Sequence, residues 1–158
     1  MTSANTQGLV TDIAGLRESV GAHLGYTDWR EMTQEIVNQF ADATDDHQFI
    51  HVDVERAKQT PFGGTIAHGY LTLSLMAPVM QKLMTITDAA MGLNYGLDRV
   101  RFPAPLPVGK QWRGAGEIVE VTDVPGGVQV KVRGTIEVKD QEKPACVAEC
   151  VVRMYGGG

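Results

Sequence analysis

The run from Ile66 to Met84 constrains this chain more than any other feature. Nearly every position in it that is not small is apolar: Ile66, Tyr70, Leu71, Leu73, Leu75, Met76, Val79, Met80, Leu83 and Met84. A helix written this way is apolar around most of its circumference and must be covered on several sides. Interspersed Thr, Ser, Gln and Lys leave no apolar run near the roughly 20 residues that a bilayer span requires. The cover must therefore come from the protein itself. Pro61, Gly63 and Gly64 break the chain just before this run, and Thr65 is placed to cap it. Pro78 inside it predicts a kink, or a break one turn earlier.

The second half of the chain supplies the cover. Residues 128–138 alternate Val128, Val130, Val132, Ile136 and Val138 with polar neighbours, the period of a strand with one wet face. Residues 91–103, 110–122 and 145–155 read as further strands, with turns at Pro125-Gly126-Gly127 and Lys139-Asp140-Gln141. Before the apolar run lie two helical patterns. Val10, Ile13, Leu16 and Val20 step by three and four and predict a helix within residues 8–24. A second helix follows a Thr33 cap, with Ile36, Val37, Phe40 and Ala41 as its buried stripe, and fails at Thr44-Asp45-Asp46. Trp29 and Met32 suggest a short strand or loop between them, and Val54–Lys58 one more helical turn. Helices followed by an antiparallel meander make an α+β layout, expected as one domain over residues 1–158.

Composition narrows the function classes. A net charge of −5 argues against nucleic acid, whose phosphates are bound by clustered Lys and Arg. The opening MTSANTQG has neither a basic start nor an apolar core, so a cytoplasmic protein is expected. Cys146 and Cys150 are four apart, which in a strand puts both on one face as small core residues rather than a redox or zinc pair. His23 reads as a surface residue.

Chemistry concentrates just ahead of the apolar run. Residues 40–76 hold three of the four histidines, crowded with carboxylates against a buried-looking helix. Desolvating such groups is costly, so a site is expected there. If Asp46 and His51 converge, the imidazole can take and return a proton near neutrality, and the carboxylate can fix its tautomer or act as partner acid. The TIAHGY stretch offers backbone N–H groups at a helix start, where Gly69 lets a substrate approach closely. From spacing alone the alternatives stay open. His47, His51 and Asp53, with His68 as a third ligand type, equally suggest a metal site. Asp45, Asp46 and Asp53 read equally well as turn or cap residues.

Phe40-Ala41, Asp46, His51-Val52-Asp53, Ala57, Phe62 and Ile66-Ala67-His68-Gly69 together resemble the MaoC-type dehydratases, or (R)-specific enoyl-CoA hydratases. The similarity is strongest to their nodulation-protein-N-like branch. It extends through the blocks DHQFIHVD, TIAHGYLTL, NYGLDRVRFPAPLPVG and KPACVAE. This resemblance implies a hot-dog fold, an antiparallel sheet wrapped around a central helix at residues 65–84. It implies a homodimer acting on an acyl-CoA or acyl-carrier-protein thioester, with no metal, no redox cofactor and no membrane. The reaction implied is reversible hydration of a trans-2-enoyl-CoA to the (R)-3-hydroxyacyl-CoA. By position, Asp46 and His51 would be the catalytic pair, and Gly69 with His68 the oxyanion and substrate-binding turn.

Two departures bear on that carry-over. Many members read Gly-Asp-x-Asn-Pro-x-His where this chain has Asp45-Asp46-His47-Gln48-Phe49-Ile50-His51. Gln48 can still hydrogen-bond, but Phe49 lacks proline's rigidity, so packing must hold the loop. Some members carry a serine eight residues after the glycine. Here that position is Ala77, leaving Ser74 as a possible support. The alternatives are a hot-dog thioesterase and a non-catalytic acyl-thioester-binding subunit. Met80, Leu83, Met84 and Met91 are candidates for an acyl tunnel. Arg99, Arg101, Lys110 and Arg113 are candidates for CoA phosphates, or the wet face of two strands.

Overall fold

A computed structural model describes residues 8–156. It opens with β1 (Leu9–Thr11) and α1 (Ile13–Arg17), whose first turn is capped by the Asp12 carboxylate accepting from the Gly15 amide at 2.7 Å. The helix expected within residues 8–24 is therefore confined to one short piece. Leu9–Thr11 instead pairs in parallel with β4 (Met84–Ile86), and Gly21 turns the chain at φ +90° into β2 (His23–Tyr26). His23 is exposed there, as expected. After β3 (Arg30–Glu31), α2 (Gln34–Thr44) starts where the sequence placed it, with the Thr33 hydroxyl accepting from the Ile36 amide at 3.2 Å. It stops at Asp45, whose left-handed conformation (φ 61°) an aspartate tolerates better than most residues.

Residues 46–53 contain a helical turn, α3 (Phe49–Val52). The Asp53 amide donates to Phe49 O at 2.9 Å, and burial of His51 outweighs the strand preference of the β-branched residues. α4 (Val54–Ala57) follows, capped by the Asp53 carboxylate.

The central helix is two segments, α5 (Gly69–Ser74) and α6 (Met76–Leu83). The break falls at Leu75, where Pro78 has no N–H to offer the Ser74 carbonyl. Helix begins at Gly69 rather than at residue 65. Thr65 is not its cap: the Thr65 hydroxyl donates to Gln34 Oε1 at 2.6 Å, and Ile66 bridges to Pro107.

The long strands β5 (Ala89–Arg101), β6 (Gln111–Val124), β7 (Gly127–Val138) and β8 (Cys146–Gly156) complete a six-stranded antiparallel sheet. Its order is β2-β6-β7-β8-β5, with β3 also on β6. α5 and α6 lie in its concave face, the hot-dog arrangement. Two glycines set how closely they approach. A Cβ at Gly114 would overlap Val79, and one at Gly134 would strike Met76 Sδ at 2.6 Å. Leu24, Met76, Val79, Ile118, Val130, Val132 and Ile136 belong to one core cluster.

Cys146 and Cys150 are buried, unpaired and on the same face of β8, as their spacing predicts. Burial pushes their thiols up to about 12 and about 11. β5 stands apart: Met91, Leu93, Tyr95 and Leu97 are 45% to 60% exposed along a strand whose outer edge has no partner among the described residues. No helix among the described residues is long and apolar enough to cross a membrane.

Candidate active site

The site is assembled from three pieces of main chain that hydrogen bonds sew together. Leaving α2 through Asp45, the chain turns at Asp46, whose carboxylate accepts from the Gln48 amide at 3.4 Å. α3 then points His51 inward, 6% exposed. The Ile66 amide donates to Ile50 O at 3.0 Å, aligning this turn with the strand-like approach to α5. Gln34 fastens both pieces to α2. Its Nε2 donates to His51 O at 2.7 Å while its Oε1 accepts the Thr65 hydroxyl.

These bonds fix the state of His51. Its Nδ1 lies 2.7 Å from Ile66 O, and a carbonyl only accepts, so Nδ1 carries the hydrogen and Nε2 keeps its lone pair. Burial lowers its pKa below that of free imidazole. The bond to Ile66 O opposes that shift, the neighbouring His68 adds to it, and the charge of Asp46 again opposes it. The result is a neutral base beside an exposed carboxylate. One ligand-type atom from each of Asp46, His51 and His68 lies within 4.8 Å of the others.

The same three residues are the set that could offer ligand atoms to a metal ion. The His51 and His68 rings are stacked, with centroids 3.8 Å apart and planes 24° apart. Of the other candidate ligands, His47 is exposed and paired to Asp42 at 2.8 Å, a bond that raises its pKa. Asp53 is engaged as the α4 cap.

Gly69 follows His68 directly and opens α5. The first closed turn runs from the Thr72 amide to His68 O, so the amides before it, Gly69's included, have no partner within the helix. A Cβ on Gly69 would meet the Phe102 ring at 3.3 Å. Phe62, Ile66, Gly69, Thr72 and Phe102 line an apolar cavity of about 290 Å³ at this end of the helix. A second cavity of about 240 Å³ lies between α5–α6 and β5, walled by Leu73, Ser74, Ala77, Met80, Tyr95 and Cys150.

The structure thus brings together Asp46, His51 and His68, with Gly69 next to His68 at the start of α5. Gln48 joins through its amide rather than its side chain. Ser74 does not meet Asp46: its hydroxyl donates to Leu71 O at 2.6 Å within its own helix. Of the tunnel candidates, Met80 and Met84 face cavities, Leu83 is core and Met91 is exposed. Arg113 is already engaged, stacked over Tyr26 and Trp29 and paired with Glu137 at 2.7 Å. Phe49 itself is packed: the Arg56 guanidinium lies 3.9 Å over its ring. Sequence reasoning missed Gln34. Its signal was a polar residue on the same helix stripe as the buried Val37 and Ala41.

Residues 16–141 match the family described as MaoC like domain. The chain belongs to that family. It is 50% identical over 142 residues to the 3-hydroxyacyl-thioester dehydratase Z of Mycobacterium tuberculosis (strain ATCC 25618 / H37Rv), covering 89% of this chain and 94% of that protein. It is 40% identical over 152 residues to nodulation protein N of Rhizobium leguminosarum bv. viciae, covering 88% of each. Among solved structures, the (R)-hydratase from A. caviae involved in PHA biosynthesis superposes with a TM-score of 0.70 at 21% identity. That match covers 84% of this chain and 94% of the other, and supports the hot-dog fold of this MaoC-like chain.

Proposed function

We propose that this MaoC-like protein is a hydro-lyase that interconverts a trans-2-enoyl thioester and the (R)-3-hydroxyacyl thioester. One observation carries the reading. A neutral imidazole with a free Nε2 is held inward beside the Asp46 carboxylate, next to a helix start with unpaired amides. Asp46 and His51 are close enough to share one water. Together they remove its proton as its oxygen bonds C3, and a proton is delivered to C2, so that one water is added across the double bond. The Gly69 amide, presented by the turn at His68, donates to the thioester oxygen as it becomes enolate-like. The 50% identity to a protein named for 3-hydroxyacyl-thioester dehydration supports the same chemistry.

The mechanism draws on the thioester and one water, and calls on no metal or redox group. The acyl chain is assigned to the cavity beside Ala77 and Met80, and the carrier is CoA or an acyl carrier protein in the cytoplasm. A homodimer through β5 is the assembly we favour, supported by the exposed apolar row Met91, Leu93, Tyr95 and Leu97 on an unpaired edge.

The test is crotonyl-CoA with purified protein, following loss of the enoyl absorbance with chiral analysis of the product. Formation of the (R)-alcohol supports the reading. Release of free CoA would replace it with a thioesterase, and tight binding without turnover with an acyl-binding subunit. Light scattering in the same buffer distinguishes a dimer of this chain from a monomer awaiting a different partner.

A further inference from the structure

His68 is the most thoroughly buried polar side chain near the site, 1% exposed, yet it is only half satisfied. Its Nε2 lies 2.9 Å from the main-chain carbonyl of Asp46, and since a carbonyl only accepts, Nε2 carries the hydrogen. Its Nδ1 has no partner at all, alone among the buried side-chain nitrogens and oxygens of the described residues. An unpaired buried acceptor costs about 1–3 kcal/mol, and an apolar ring of the same shape would avoid that cost. Packing alone therefore does not account for a histidine here.

The contacts of its other faces do. One ring face lies on His51 with centroids 3.8 Å apart, and Phe40 packs against the ring at 4.9 Å. A single imidazole thus touches both members of the reactive pair, Asp46 through its backbone and His51 through its ring. We propose that His68 is a positioning residue, a clamp that sets the distance between the Asp46 carboxylate and His51 Nε2 by holding the Asp46 main chain against the His51 stack. The need for a clamp is local. Asp46 follows a left-handed residue, Asp45, and the loop from Asp45 to His51 contains no proline. Among the described residues, the Asp46 side chain itself is held only by a 3.4 Å contact from the Gln48 amide.

The clamp also bears on charge. The groups facing His51 are His68, the Asp46 carboxylate and Ile66 O, and His68 is the one that, with burial, disfavours an imidazolium there. Removing it leaves Asp46 and Ile66 O, both of which favour protonation.

This inference rests on the hydratase reading, and its test separates the two. His68→Phe keeps a stacked ring and removes the N–H donor. His68→Gln places an amide N–H near the former Nε2 and removes the stack. In the crotonyl-CoA assay, His68→Phe is expected to lose at least about tenfold in kcat with KM within about twofold, because small misplacements of reacting groups are costly. Its acid limb in the pH profile is expected to move up relative to wild type. His68→Gln, which restores the bond to Asp46 O but loses the stack on His51, is expected to recover only part of that loss, with a kcat above that of His68→Phe.

A His68→Phe enzyme with wild-type kcat and an unmoved acid limb overturns the proposal. So does a kcat loss in either variant that only tracks the unfolded fraction seen by circular dichroism. If His68→Phe fails to fold, a His68→Gln enzyme whose kcat is no better than about a hundredth of wild type overturns it as well. An inactive wild type would sink the hydratase reading instead and leave the 2.9 Å bond to be checked by the tautomer of His68 in nitrogen-15 spectra.

Discussion

The sheet and the segment from Asp45 to Gly69 are built on different principles. In β7, alternate residues are buried without a break from Val128 to Val138, and shape against α6 decides what fits. In the 45–69 segment the buried residues follow no such alternation: they are His51, Ala57 and the run Thr65, Ile66, Ala67 and His68. The segment is held by single named bonds: Gln34 to His51 O, Ile66 to Ile50, His51 to Ile66 O, Asp53 to Arg56. Packing gives the sheet stability that no one residue controls. Individual bonds give the segment a geometry that one substitution can spoil without unfolding anything.

That contrast predicts a double dissociation. The largest effect belongs to Asp46→Asn and His51→Gln, each expected to reduce turnover at least about a hundredfold while melting close to wild type. If either keeps near-normal turnover, the segment is not where the chemistry lies. Next comes Gly114→Ala, whose Cβ overlaps Val79. Overpacking of this kind costs about 1–3 kcal/mol, read as a lower melting temperature, while kcat per folded molecule stays unchanged. A fall in its kcat with the melt intact would break the comparison from the other side.

Gln34→Ala lies between the two. It removes the donor to His51 O and the acceptor of Thr65, and a loss of about 1.4 kcal/mol in the transition state would appear as about tenfold in kcat/KM. The smallest effect is in pH. His51 has a lowered pKa in the folded protein, so between that value and 6.5 the unfolded chain binds a proton that the folded chain does not. Stability therefore falls as pH falls through that window, and the acid limb of kcat/KM is expected below 6.5. A limb above 6.5 would argue that the titrating base is another group.

The same contrast explains what could be read without coordinates. Strand β7 was legible because alternation is a property of many residues at once, and α2 because Thr33 and Asp45 mark its ends. The split of the central helix followed from Pro78. Asp46 and His51 were legible through the family pattern, not through their spacing. The α3 turn and the reassignment of Thr65 were not, because each depends on a partner far away in sequence: His51 buried under Ile66, and Thr65 bonded to Gln34. The helix expected within residues 8–24 failed for a similar reason, since β1 finds its partner in Met84–Ile86, some seventy residues on. A period of three to four is satisfied equally by a short helix and by a strand edge that touches the core twice.

The buried cysteines of β8 have a bearing on chemical compatibility. Cys150 forms part of the wall of the cavity beside Ala77 and Met80, where an electrophilic enoyl chain is expected to lie. A thiolate in that position would add to the conjugated double bond, or exchange with the thioester and leave the protein acylated. With its thiol raised to about 11, Cys150 remains protonated at neutral pH and inert toward both reactions. The same burial that seats it in the sheet thus protects the catalyst from its own substrate.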